Sequence, residues 1–285
     1  MNTTLTLDPV PAVMNLTNLR QTEIGTLLAC GRKFYLERIL GNKWAGSRKT
    51  FGGTAFHKGL ESVYRSLMVG DRIDWPEAQG FAQENLETSV MLAPDEVLAL
   101  EGEETVQGVL TTGQEYVRLA LEHYEANIFP GIAALGAPLA VEEKVAFTYR
   151  GIEIVGTVDL IDASGVLHDH KLTNAYLPAD MHHNYWAQMA RYCWFWNEAQ
   201  GIDLAGISLD VTSTSKLKNK TAGKRMVESK IFLDDNMERL VRIGKESVDQ
   251  AIDLLKMGLF TRNAINGFGG MCDFCEHRKT GKCLE

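Results

Sequence analysis

Two periodicities divide this chain. From about Asn18 to Leu40 the apolar positions Ile24, Leu27, Leu28, Phe34, Leu36, Ile39 and Leu40 recur at helical spacing, with a bend expected at Gly31. Thr54 to Val69 predicts a helix with Phe56, Leu60, Val63, Tyr64 and Leu67 inward and His57 in its first turn. Asp74 to about Leu92 and Pro94 to about Ile128 predict further helices with acidic outer faces. Near Pro138 the period changes to two. Residues 141–147, 153–161 and 165–172 then predict strands, the last two joined by a tight turn into a hairpin. A helix over about 179–200, strands at 207–212 and 226–232, and a long helix over 234–257 complete the pattern. The sum is α/β: a mixed central sheet flanked by helices, with a mostly helical insertion over 54–135, in a single domain spanning 1–285.

The hairpin carries the candidate chemistry. Asp159 sits in an apolar strand, where a carboxylate needs a partner, and Asp169 lies across the turn from it. Two carboxylates at one end of a sheet suit a hard divalent cation, Mg²⁺ or Mn²⁺. Lys171 is two residues beyond Asp169 and so shares its face, in reach of a bound phosphate or an attacking water. One strand earlier, strict alternation sets Glu143 on the face of Val141, Val145 and Phe147 and turns Glu142 away, making Glu143 an auxiliary ligand or acceptor, or else a strand-end acid in solvent.

These residues resemble the core motif of the PD-(D/E)xK nuclease superfamily. Asp169-His170-Lys171 stands for D/E-x-K, and Gly156-x-x-Asp159 for its first half, with Val158 where the name-giving proline would be. Gln188 to Tyr192 is similar to the Q-x-x-x-Y motif of the RecB-like branch, and His57 to that branch's helical histidine. The resemblance implies a restriction-endonuclease-like fold and metal-assisted hydrolysis of phosphodiester bonds. It places the metal on His57, Asp159, Asp169 and the carbonyl of His170, makes Asp159, Asp169 and Lys171 catalytic, and gives Gln188 and Tyr192 a supporting face toward DNA. As bare patterns, a histidine near a helix start also reads as packing, and Q-x-x-x-Y as an amphipathic core helix.

Five cysteines add a second signal. Cys272, Cys275 and Cys283 form C-x2-C-x7-C at the C-terminal end, and C-x2-C is metal-ligand spacing. Cys30 precedes Arg32-Lys33-Phe34-Tyr35, similar to the segment that donates the first ligand in iron-sulfur members of the RecB-like branch. The resemblance implies a 4Fe-4S cluster on Cys30, Cys272, Cys275 and Cys283, with Zn²⁺ as the alternative, and a tail at 270–285 packed back on the Cys30 region. Such a crosslink would close about 240 residues, worth roughly 5 kcal/mol in the chain-entropy account. Cys193, among Trp186, Trp194, Phe195 and Trp196, reads as an inert core thiol.

Composition bounds the rest. With 285 residues, 45% hydrophobic and 23% charged, the chain has material for a real core, and no apolar run approaches a membrane span. Neither an export signal nor a membrane segment is expected, which by default gives a cytoplasmic setting where metal-thiolate sites are the expected use of cysteine. A net charge of −8 runs against nucleic-acid binding, but the cations are clustered. Lys216, Lys218, Lys220, Lys224 and Arg225 form a run of five with no acid, and Arg32 and Lys33 add to it, so a positive DNA channel in an acidic body is one reading and a solvated loop the other. No G-x-x-x-x-G-K-[ST] loop occurs, so any unwinding falls to a helicase, recombination or annealing partner. The expectation is an exonuclease acting on DNA ends or single strands in recombination, repair or replication. The competing class is a non-catalytic, metal-stapled DNA-end-binding subunit.

Overall fold

The computed structural model describes residues 16–42, 48–92, 105–173, 183–216 and 225–261, together with 275, 277 and 283; side chains at 48–49, 183–184, 215–216 and 225–226 are excepted. Its centre is a six-stranded mixed sheet, with helices on both faces. The strands are β1 (Asn18–Arg20), β2 (Ala140–Tyr149), β3 (Ile152–Ile161), β4 (Val166–Thr173), β5 (Gly206–Lys216) and β6 (Arg225–Asp234).

Strand β3 organises the sheet. β2 pairs antiparallel along its whole length, from Ala140↔Ile161 to Tyr149↔Ile152. Its other edge is shared. β1 takes one end in parallel, Asn18↔Glu153 to Arg20↔Val155, and β4 takes the other through Leu160↔His168 and Ile161↔Leu167. Beyond that pair β4 diverges from β3 and runs parallel with β5 from Val166↔Gly206 to Thr173↔Ser213, and β6 closes on β5 antiparallel. The gap between β3 and β4 opens beside Asp159.

On one face lie α1 (Gln21–Ala29), α7 (His183–Gln200) and α8 (Met237–Lys256). Their core joins Leu19, Ile24 and Leu27 to Val145, Ile154, Val158, Trp194, Phe195, Val248 and Ile252. Helices α7 and α8 approach so closely that a Cβ on Gly244 would stand 2.1 Å from the carbonyl oxygen of Ala190. Gly156 plays the same part under α7, since a Cβ there would meet Phe195 Cδ2 at 2.9 Å. The other face is covered by α3 (Arg48–Val69), α4 (Trp75–Met91) and α5 (Val106–Asn127), with the short α6 (Phe129–Ala133) after them. Asp74 caps α4 by accepting from Glu77 N (3.1 Å), and Thr105 caps α5 through Gly108 N (3.1 Å), which fixes where these helices begin. Their second core includes Phe56, Leu60, Tyr64, Leu86, Val117 and Tyr124 and reaches Val141 and Leu160 on the sheet.

The N-terminal segment departs from the single bent helix expected. Residues 18–20 are a strand, because their parallel partner lies more than 130 residues away and leaves no local trace. After α1 come a short α2 (Gly31–Phe34) and a π-helical turn, Tyr35–Ile39, with Leu40 N bonded to Tyr35 O (3.0 Å). Helix α3 starts at Arg48 rather than Thr54, so His57 lies in its third turn, not its first. Phe260, Thr261 and His277 return to this region. Arg32 N donates to Thr261 O (3.2 Å), Phe260 packs on Phe34 and Tyr35 at centroid distances of 6.0 and 5.3 Å, and the buried His277 places Nε2 3.2 Å from Glu37 Oε1. No helix among the described residues is long and apolar enough to cross a membrane.

Candidate active site

The site forms where β4 leaves β3. With no ladder pair to span the gap, the Asp159 carboxylate bridges it: Oδ2 accepts from the backbone N–H of His170 at 2.9 Å. The same oxygen lies 3.4 Å from Nδ1 of His57 on α3. Glu142 Oε1 is 3.6 Å from that nitrogen. One ligand atom from each of His57, Glu142 and Asp159 falls within 4.8 Å of the others, and among the described residues this is the one such group of three.

Glu142, and not Glu143, joins the site. Strict alternation places Val141 and Val145 on one face, yet Val141 packs with the α3–α5 core and Val145 with the α7–α8 core. Val158 and Leu160, the facing residues on β3, divide the same way. Both strands therefore slip by one position at Glu142 and Asp159. The cause is the backbone at Glu142, whose φ of +46° lies in the left-handed region that a glutamate disfavours. Its ladder pair with Asp159 is missing while Val141↔Leu160 and Glu143↔Val158 flank it. Glu143 is exposed, which corrects its reading as an auxiliary ligand or acceptor and leaves the alternative, an acid in solvent.

Asp169 and Lys171 project to the opposite face of β4, toward α7. Lys171 Nζ is 2.5 Å from Asp169 Oδ2, and Gln188 Nε2 donates to Asp169 Oδ1 at 3.0 Å. Tyr192, one turn on, packs over Gly156. Half-buried Tyr185 has its ring 5.9 Å from Lys171 Nζ. Burial pushes the Asp169 carboxyl up, and Asp159 adds to the push against the pull of Lys171. Burial works against the Lys171 ammonium, but Asp169 and Asp159 together hold its pKa above the ordinary value. Likewise burial opposes charge on His57, and Asp159 and Glu142 outweigh it to raise the imidazole. Three carboxylates, Glu142, Asp159 and Asp169, gather here against one imidazole and one ammonium. That imbalance, with an oxygen-rich donor set and one imidazole, fits a hard divalent ion.

His170 contributes backbone to the site, and its side chain lies on the face of β4 opposite Asp169 and Lys171, with its ring centroid 6.4 Å from that of His57. Its ring is buried between the helical layer and β5, stacked on Tyr64 (5.9 Å between centroids), with Nδ1 3.3 Å from both Tyr124 Oη and Asp210 Oδ2. Asp210 Oδ2 is also 2.8 Å from His168 Nδ1, and the other nitrogen of His168 is 3.1 Å from Asp162 Oδ2. Burial disfavours the His168 cation, yet the Asp162 and Asp210 bonds raise its pKa to about 9. Asp162, despite burial, is lowered to about 2 by His168, Ser164 and the Val166 N–H. Sequence patterning had not singled out this four-residue chain. Its signal was present in period-two form, since positions 168 and 170 face 208 and 210 across β4 and β5.

The remaining candidates divide by location. Arg32 lies over the Tyr35 ring at 5.6 Å and Lys33 Nζ is 3.8 Å from Glu37, so both are engaged within the N-terminal segment. Lys218, Lys220 and Lys224, with the side chains of Lys216 and Arg225, lie outside the described residues, as does Cys272. Cys30, Cys275 and Cys283 are half-buried, and Cys283 N donates to His277 O at 2.9 Å. Cys193 is buried, and burial pushes its thiol far above the usual range.

Comparison with known proteins gives a family and a fold. A family model described as the PD-(D/E)XK nuclease superfamily matches residues 19–280. A crystal structure described as a "Putative exonuclease" from Eubacterium rectale shares the fold, with a TM-score of 0.55 at 10% identity, over 96% of this chain and 91% of that one. A second crystal structure, SSO0001, aligns over 82% of this chain and 76% of its own at 11% identity, but its TM-score of 0.34 carries no argument. No curated protein matches the chain.

Proposed function

We propose, since the chain belongs to the PD-(D/E)XK nuclease superfamily, that it is a metal-dependent DNA exonuclease hydrolysing phosphodiester bonds at DNA ends or in single strands. The observation that carries this reading is the pairing of the His57, Glu142 and Asp159 group with a buried Asp169–Lys171 ion pair on the adjoining strand. His57, Glu142, Asp159, Asp169 and the His170 carbonyl are the groups available to Mg²⁺ or Mn²⁺, which when bound acidifies water and offsets charge on the scissile phosphate. Lys171 stabilises the negative charge that develops on that phosphate, and Gln188 keeps Asp169 in place for it. Exonuclease rather than endonuclease action is in keeping with the description of the Eubacterium rectale protein, whose likeness to this chain extends to the fold.

The rest of the reading follows from the sequence. The chain forms one RecB-like nuclease domain with residues 54–135 as a helical insertion, and Lys216 to Arg225, with Arg32 and Lys33, line the approach for DNA. A 4Fe-4S cluster on Cys30, Cys272, Cys275 and Cys283, or Zn²⁺ in its place, staples the two ends. The contacts of His277 and Thr261 with residues 32–37 support that staple, because they bring the tail beside the segment that follows Cys30. The setting is cytoplasmic, in recombination, repair or replication, with a helicase or annealing protein supplying opened DNA.

The test compares end-labelled linear DNA with covalently closed circles, in Mg²⁺ or Mn²⁺. Degradation of the linear substrate alone, lost by about 100-fold or more in Lys171→Ala, is the expected result. Binding of ends with no cleavage by the wild type would instead make the chain a non-catalytic end-binding subunit. For the tail, a broad absorbance near about 400 nm after anaerobic purification marks the iron-sulfur cluster, and a colourless, zinc-containing protein excludes it.

A further inference from the structure

We propose that Asp210 is a positioning residue for the metal centre, acting through His170 on the backbone that presents Asp169 and Lys171 and anchors Asp159. This rests on the metal-dependent reading above.

Register sets the coupling. β4 and β5 are parallel, with His168 opposite Ser208 and His170 opposite Asp210. Positions 168 and 170 face the helical layer, so by period two 169 and 171 face α7, and rotation of one set moves the other. On the β3 side the described ladder ends at Leu160↔His168, so segment 169–171 is tied to β3 through the Asp159 carboxylate on the His170 N–H. Whatever fixes His170 therefore fixes the hydrogen bond that orients Asp159.

Asp210 is placed to do this. Its side chain is fully buried, one oxygen serves His168 Nδ1 (2.8 Å) and His170 Nδ1 (3.3 Å), and the other accepts from Ser208 Oγ (2.5 Å). A single carboxylate thus clamps the imidazoles on either side of Asp169. Tyr64 and Tyr124, bonded to each other at 2.7 Å, hold the His170 ring from α3 and α5, so that the helical layer and β5 grip the same residue. An asparagine at 210 keeps the volume but has one acceptor oxygen where three donors converge, and the clamp loosens.

Asp162 supplies the internal control. It bonds the far nitrogen of His168 rather than His170, so Asp162→Asn damages the same buried network without reaching the His170 backbone. The experiment measures Mn²⁺ affinity, from the electron paramagnetic resonance of free Mn²⁺, and metal-free Tm on the full chain. Wild type, Asp210→Asn, Asp162→Asn and His170→Phe are compared. Both aspartate variants should lose Tm. Asp210→Asn and His170→Phe should bind Mn²⁺ about 10- to 100-fold more weakly, whereas Asp162→Asn stays within about twofold of wild type. If Asp210→Asn does not fold, His170→Phe decides, since it keeps an aromatic ring on Tyr64 and leaves Asp210 paired with His168 and Ser208. Equal losses of affinity in the two aspartate variants would mean a merely structural network and overturn the proposal, as would unchanged affinity in a folded Asp210→Asn or His170→Phe. A wild type that binds no Mn²⁺ removes the metal-dependent reading and this proposal with it.

Discussion

Gln188 Nε2 donates to Oδ1 of Asp169 while Lys171 Nζ contacts Oδ2, so an amide from α7 and an ammonium from β4 divide one buried carboxylate between them. The amide has no charge to give. Its work is directional, holding the carboxylate plane so that Asp169 and Lys171 remain on one side of the strand. Gln188→Ala should therefore weaken Mn²⁺ binding by about 10- to 100-fold, in line with the loss of a hydrogen bond that orients a ligand. The metal-free Tm should move little. Calorimetric titration with Mn²⁺ checks the first point and a thermal melt the second.

Glu142 is expected to trade stability for ligation. Its left-handed backbone costs about 1–2 kcal/mol, and its carboxylate adds to an acid-rich pocket. Glu142→Gly relieves both, against about 0.5–1 kcal/mol for a glycine in a strand. The metal-free variant should melt at or a few degrees above wild type. Its Tm gain on adding Mn²⁺ should shrink or vanish. A variant less stable than wild type without metal would show that the strain is not there.

The His168–Asp162 pair gives stability a pH window. Asp162 has a lowered folded pKa, so its contribution is complete above its ordinary 3.8 and is lost as pH falls through about 2. His168 has a raised one, so its contribution is complete below 6.5 and is lost as pH rises through about 9. The stability difference between wild type and Asp162→Asn should thus be greatest between about pH 4 and 6.5, near 3 kcal/mol for a broken buried pair, and decline on both sides. Urea titrations across pH 3 to 9 trace it.

Gly244 tests the seam between α7 and α8. A methyl there would overlap the carbonyl of Ala190, which is backbone and cannot step aside without moving α7 and, with it, Gln188 and Tyr192. Gly244→Ala should cost about 3 kcal/mol or more and lower Tm by roughly 5–10 °C or prevent folding. A variant with wild-type Tm would mean that the helices do not approach as described.

Much of this arrangement could be read from residue order. The hairpin from Gly156 to Lys171, the helix bearing Gln188 and the order of strands and helices after Pro138 follow from local periodicity, and those elements lie close to where the pattern puts them. What escaped the pattern shares one physical origin. The three residues of β1 are defined by a distant partner, Glu142 by a backbone conformation that breaks alternation, and the Asp162–His168–Asp210–His170 chain by contacts between strands that are 40 residues apart. Period two holds only as far as a strand stays regular, and β2 breaks it at Glu142.

The bond between Glu37 and His277 joins positions 240 apart, and β1 has no neighbour until β3 exists. On the ribosome, at about 5–20 residues per second, Glu37 would then wait on the order of half a minute for His277. Helices α3 to α5 can bury Tyr64 and Leu86 against one another meanwhile, so maturation should proceed from the middle of the chain outward, with β1 and the Glu37–His277 contact forming last.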